Sequence, residues 1–126
     1  MFTILDGTEN NILGVEITGG YMKEDFNAVK KAFEDILAQG HDRVNVLCKI
    51  DKMKFLEGEL SAFIADGRYA LSHRDKLRHV AIVANSSVVE TLISLDNAIF
   101  GDPQNDLIEK YFDIKDIDDA WEFVRH

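Results

Sequence analysis

Three kinds of side chain in this sequence have the chemistry for catalysis, metal binding or proton transfer: one cysteine, four histidines and several adjacent carboxylates. Cys48 sits in Val44-Asn-Val-Leu-Cys-Lys-Ile50, an apolar run that suits an inert core thiol. A small hydrolase built on Cys48 or on a buried carboxylate is the enzymatic alternative. His41, His73, His79 and His126 include no i, i+4 pair and no cysteine at zinc-site spacing, so neither a metal nor another cofactor is expected. The carboxylates Glu24-Asp25, Glu34-Asp35, Glu57 with Glu59, and Asp118-Asp119 suit helix N-termini and polar helix faces. General acid–base work would need one of them buried with a raised pKa. Gly19-Gly20 lacks the G-x-G-x-x-G or Walker pattern of a phosphate loop and reads as a chain reversal. No catalytic residue is assigned.

Charge is more informative. The chain has 126 residues and a net charge of −9, which argues against a nucleic-acid binder, since phosphate affinity comes from clustered cations. Residues 1–48 sum to −4, 49–79 to +2 and 80–126 to −7. The positive stretch holds Lys49, Lys52, Lys54, Arg68, Arg74, Lys76 and Arg78. Lys52, Lys54 and Arg68 are candidate contacts for an anion or a lipid headgroup, against the alternative of a mixed, solvated surface.

These residues need a frame. With 46% apolar and 29% charged residues the chain has material for a core, and its length suits a single domain over 1–126. Phe2–Leu5 and Ile12–Thr18 read as two strands, joined through the turn-forming Asp6–Asn11 into a hairpin. Phe26, Val29, Phe33, Ile36 and Leu37 fall on one face of a helix over 23–38 that Gly40 stops. Val44–Ile50 is a strand, and Leu60, Phe63, Ile64, Gly67 and Leu71 make the stripe of a helix starting near Glu57. His79–Ala84 is apolar on both faces, as expected at the centre of a parallel sheet. Ser86 or Ser87 caps the next helix, Glu109–Asp113 is the last strand, and Asp116 caps a closing helix that buries Ala120, Trp121 and Val124. The order β-β-α-β-α-β-α-β-α predicts an α/β fold with a mixed, mostly parallel five-stranded sheet and four helices.

That order, with these residues, resembles the SpoIIAA-like family of small α/β proteins, related to STAS and CRAL-TRIO domains. The resemblance rests on Val15-Glu-Ile-Thr-Gly19, Asp25-Phe26, Phe33-Glu34, Lys76–Val83, Lys110-Tyr-Phe112 and Asp119-Ala-Trp121. It implies a non-enzymatic module. In anti-sigma-factor antagonists of the STAS group, a serine is phosphorylated in an Asp-Ser-Ser-Gly-like loop after the third strand. Here that loop reads Asp51-Lys-Met-Lys-Phe-Leu-Glu57-Gly58, with glutamate before the glycine, and Ser61 falls within the following helix.

The helix after Ser87 is apolar over more of its circumference than one sheet contact needs, through Val88, Val89, Leu92, Ile93, Leu95, Ala98, Ile99 and Phe100. It forms either a subunit contact, making a homodimer, or the wall of an apolar ligand cavity. The expected partner surface is Met53, Phe55, Leu56 and Leu60 with Leu92, Leu95, Ile99 and Phe100. Its occupant is a protein or a small apolar, lipid-like molecule. A phospho-regulated anti-sigma antagonist is the alternative. The single cysteine, with no signal peptide or transmembrane run in sight, suits a cytoplasmic protein.

Overall fold

Aliphatic and β-branched runs set the strands. The computed structural model describes residues 2–18, 23–50, 76–86, 90 and 108–126. β1 (Phe2–Ile4), β2 (Ile12–Ile17), β3 (Val44–Ile50), β4 (Leu77–Ala84) and β5 (Ile108–Asp113) form one sheet in that spatial order. β1 runs antiparallel to β2, and every other neighbouring pair is parallel. The centre of the sheet is therefore β3. The continuous apolar pattern of His79–Ala84 had pointed to β4, but any strand covered on both faces acquires that pattern, central or not.

The hairpin forms as its turn residues predict. Leu5 N–H donates to Gly14 C=O at 2.9 Å, and Asn10 takes the left-handed conformation, φ 52°. The Thr8 hydroxyl accepts from Gly14 N–H at 2.9 Å and donates to Gly14 C=O at 3.1 Å.

Helix α1 (Lys23–Ala38) has the predicted bounds. Gly40 ends it at φ 100°, with Gln39 N–H on Ile36 C=O at 3.1 Å and Gly40 N–H on Leu37 C=O at 3.0 Å. Those bonds satisfy carbonyls that the helix leaves open, and only glycine adopts that φ without strain.

Helix α2 (Ile117–Arg125) follows a 3-10 turn, Ile114–Asp116. The capping side chain here is Asp113, which accepts from Lys115 N–H at 3.1 Å, whereas Asp116 makes no side-chain cap bond. The turn inserted between strand and helix moves the capping position three residues upstream. Ser86 is already helical, which places the cap of that helix before it; Ser87 lies outside the described residues. Glu90 is helical too. Two of the four expected helices, α1 and α2, are thus seen entire; most of the one after Ser87, and the one expected from Glu57, lie outside the described residues.

α1 and α2 cover opposite faces. On the α1 face, Leu13, Val15, Ile17, Val44, Cys48, Ile50, Leu77 and Ala84 pack with Phe33 and Ile36. On the α2 face, Ile12, Leu47, Ala81 and Val83 pack with Ala120 and Val124, which are fully buried, and Trp121 flanks them. The strict alternation along β3 divides its side chains between the two cores.

Candidate functional site

In a parallel sheet the carboxyl ends of the strands form an edge from which the chain departs into crossovers, and ligands gather there. Here that edge is level: Ile17 lies opposite Ile50, Ile50 opposite Ala84, and Ala84 opposite Asp113. One residue back, on the α2 face, Glu16 and Lys49 are register partners joined by an ion pair of 3.1 Å, each side chain 23% exposed. Lys49 belongs to the positive middle stretch of the sequence, and at this position its charge is met by a carboxylate.

The opposite, amino edge holds a polar cluster with a different purpose. The β3–β4 register slips between Val44 and Val46, which face Leu77 and Val80, so β4 spends one extra residue. A bulge of this kind strips ladder partners from the backbone. Asn45, only 4% exposed, supplies one: its Oδ1 accepts from His79 N–H at 3.0 Å. The Arg43 guanidinium supplies another, donating to Leu77 C=O through Nε at 3.1 Å and also through Nη2.

The same residues receive the C-terminus of α2. Asn45 Nδ2 donates to Val124 C=O at 2.7 Å, and His79 Nδ1 lies 3.0 Å from Phe123 C=O. A carbonyl only accepts, so Nδ1 carries the proton in this contact. The His79 ring stacks on Phe123, centroids 4.5 Å apart, and Lys110 Nζ lies 5.0 Å from the Phe123 centroid. At the far side of α2, Trp121 lies against the hairpin backbone so closely that a Cβ on Gly7 would stand 2.6 Å from its ring, and one on Gly14 would also overlap it. Arg125 stands 5.5 Å from the Trp121 ring centroid. The contacts of this cluster bind sheet to helix. Asn within an apolar strand was its one visible signal: a lone amide in Val44-Asn-Val-Leu47 must find partners if it is buried. Neither the bulge nor the Arg43 contact has a signature of its own.

Cys48 lies on the α1 face, buried, and desolvation pushes its thiol from 9.0 up to about 12. The thiol is therefore protonated at neutral pH and is no nucleophile. Among the described residues no carboxylate is buried, and no three His, Cys, Asp or Glu side chains gather where a metal could sit. His126 pairs with Glu122 at 2.9 Å on the exposed side of α2.

The residues expected to bind a partner, Met53, Phe55, Leu56, Leu60, Leu92, Leu95, Ile99 and Phe100, all lie outside the described residues. So do the expected anion contacts Lys52, Lys54 and Arg68, together with Ser61, His73 and Gly19-Gly20. What is visible is where the chain enters those segments. Residues 51 onward leave the end of β3 and residues 85 onward leave the end of β4, from neighbouring strands at one edge.

The family model described as SpoIIAA-like matches residues 12–125, from the first residue of β2 to the last of α2. The chain belongs to the SpoIIAA-like family. No curated protein and no solved structure matches it. The match covers β2 to β5, the parallel part of the sheet, together with α1 and α2. No described helix is long and apolar enough to cross a membrane.

Proposed function

We propose that this SpoIIAA-like protein is a non-enzymatic binding or regulatory module, cytoplasmic, whose partner docks at the carboxyl edge of the sheet. The occupant is a second subunit, another protein, or a small apolar, lipid-like molecule. It is held by Met53, Phe55, Leu56 and Leu60 from one segment and Leu92, Leu95, Ile99 and Phe100 from the other. Lys52, Lys54 and Arg68 take any anionic group it carries.

The observation that carries the reading is the pairing of Ile50 with Ala84 at the level end of the sheet. Neighbouring strands stand about 4.8 Å apart, so the two apolar segments begin side by side. The Cys48 version of the hydrolase alternative is opposed by the burial of that thiol, which is pushed up to about 12. The phospho-switch alternative is opposed by Glu57, which stands where the STAS antagonists carry their serine.

Native mass spectrometry of the protein purified from its own cells tests the proposal. It is expected to show a dimer or an added apolar mass, and Leu92→Asp is expected to remove that species. A wild-type protein that is strictly monomeric and carries nothing overturns the reading.

A further inference from the structure

The outer side of β1 presents a surface unrelated to the carboxyl edge. β1 pairs with β2 through Phe2↔Ile17, Thr3↔Glu16 and Ile4↔Val15, and among the described residues no strand pairs with its other side. Leu5 N–H bonds to Gly14 C=O across the hairpin. By the alternation of an antiparallel ladder, Thr3 and Leu5 turn their backbone groups toward β2, while Phe2 and Ile4 turn theirs outward.

An open strand edge is a template for another extended chain, and folded proteins guard such edges by keeping them short or with charges, proline or bulges; β1 is short but carries neither charge nor proline. The two edges of this sheet differ in that respect. β5 carries Glu109, Lys110 and Asp113 within its six residues. β1 reads Phe-Thr-Ile and has no charge at all. Ile4 is 50% exposed, a large aliphatic side chain left in water beside the outward backbone groups of β1.

Charge selects the occupant. Residues 1–22 include Asp6, Glu9 and Glu16 and no Lys, Arg or His. Glu16 is engaged by Lys49, whereas Asp6 and Glu9 are exposed. A second copy of this chain, net −9, would set its own hairpin carboxylates against those of the first. An extended segment carrying lysine or arginine meets them with opposite charge. We propose that the outer edge of β1 is a strand-addition site for an extended basic segment of another protein. One aliphatic residue of that segment lies beside Ile4 and one cationic residue beside Asp6. This surface uses none of the residues assigned to the carboxyl edge, so it stands or falls separately from that reading. Three residues offer few ladder bonds, so the affinity of the isolated segment is on the order of millimolar.

The test uses amide NMR on the full chain, with the capped peptide Lys-Thr-Val-Thr-Val-Thr-Lys as probe and the same peptide with glutamate at both ends as control. The lysine peptide is expected to shift the Thr3, Ile4 and Leu5 amide signals, and to slow hydrogen exchange at the Ile4 amide. Added salt is expected to weaken the response. The glutamate peptide is expected to leave those signals in place. Ile4→Lys, at a half-exposed site, is expected to preserve the rest of the spectrum and abolish the response; Thr3→Lys serves if Ile4→Lys disturbs the fold. An unmoved Ile4 signal with millimolar lysine peptide, or an equal response to the glutamate peptide, overturns the proposal. Shifts of the same amides on concentrating the protein alone, which would mark self-pairing, overturn it as well.

Discussion

On the α1 face, β2, β3 and β4 present Leu13, Val15, Ile17, Val44, Cys48, Ile50 and Ala84, and α1 answers with Phe33 and Ile36. Among the described residues the layer is built from apolar area, about 1.5–3 kcal/mol for each large side chain removed from water. The described part of the α2 face holds fewer buried apolar residues and is assembled from fitted pairs. Trp121 lies on Gly7 and Gly14, Asn45 bridges the β4 bulge to the end of α2, and Glu16 meets Lys49. A short helix of nine residues brings little area, so its position is fixed by specific contacts. One sheet is thus covered by hydrophobic periodicity on one side and by individual polar and steric fits on the other.

The contrast is sharpest at Asn45. Asn45→Ala leaves the His79 N–H and the Val124 carbonyl without their partner in a buried site, and is expected to lower stability by about 3 kcal/mol. Denaturant titration measures it. A loss below about 1 kcal/mol would place α2 under the same area-driven rule as α1.

Gly14→Ala is expected to destabilise by about 2 kcal/mol, because the new methyl overlaps Trp121. Trp121→Leu weakens the protein by itself, yet in its background Gly14→Ala is expected to be close to neutral. A double-mutant cycle reads that coupling. Additive losses would break the idea of a fitted pair.

On the α1 face the expected effect is absent at neutral pH and appears only above pH 9. The Cys48 thiol is raised in the folded protein from 9.0 to about 12, so between those values the folded state holds a proton that the unfolded chain has lost. The stabilisation is complete below pH 9 and declines as pH rises, by about 1.4 kcal/mol per pH unit. Denaturation midpoints followed into the alkaline range are expected to show that slope, and Cys48→Ala to flatten it. The native thiol is expected to resist iodoacetamide at neutral pH until the protein is unfolded.

Much of the α1 face was legible in the sequence. Phe33 and Ile36 stand at helical spacing, Gly40 stops the helix, and the alternation in Val44–Ile50 divides a strand between two faces. These are local periodicities, and a parallel sheet adds little to what they require. Less of the α2 face was legible. Trp121 was expected on the inner side of its helix, but Gly14 reads locally as a weak spot in a strand, and its role as the floor under Trp121 depends on a contact more than a hundred residues away. Asp116 looked like the helix cap because it precedes the apolar stripe; the 3-10 turn gave that work to Asp113. Leu92, Leu95, Ile99 and Phe100 stand out by the excess apolarity of their helix, and Met53 and Phe55 by following a strand end; the sheet adds that β3 and β4, which lead into these two segments, end side by side.

By itself the sequence determined the α/β class, the opening hairpin, the parallel strands and the SpoIIAA-like resemblance, because each follows from side-chain period, turn chemistry or residue order along the chain. Only the tertiary structure decided that β3 is central, that β4 carries a bulge, and that Asn45 and His79 receive the last carbonyls of α2. The physical reason is common to all three. Strand order, register and the partners of a buried amide are fixed by contacts between residues distant in sequence, whose free energy no local pattern contains.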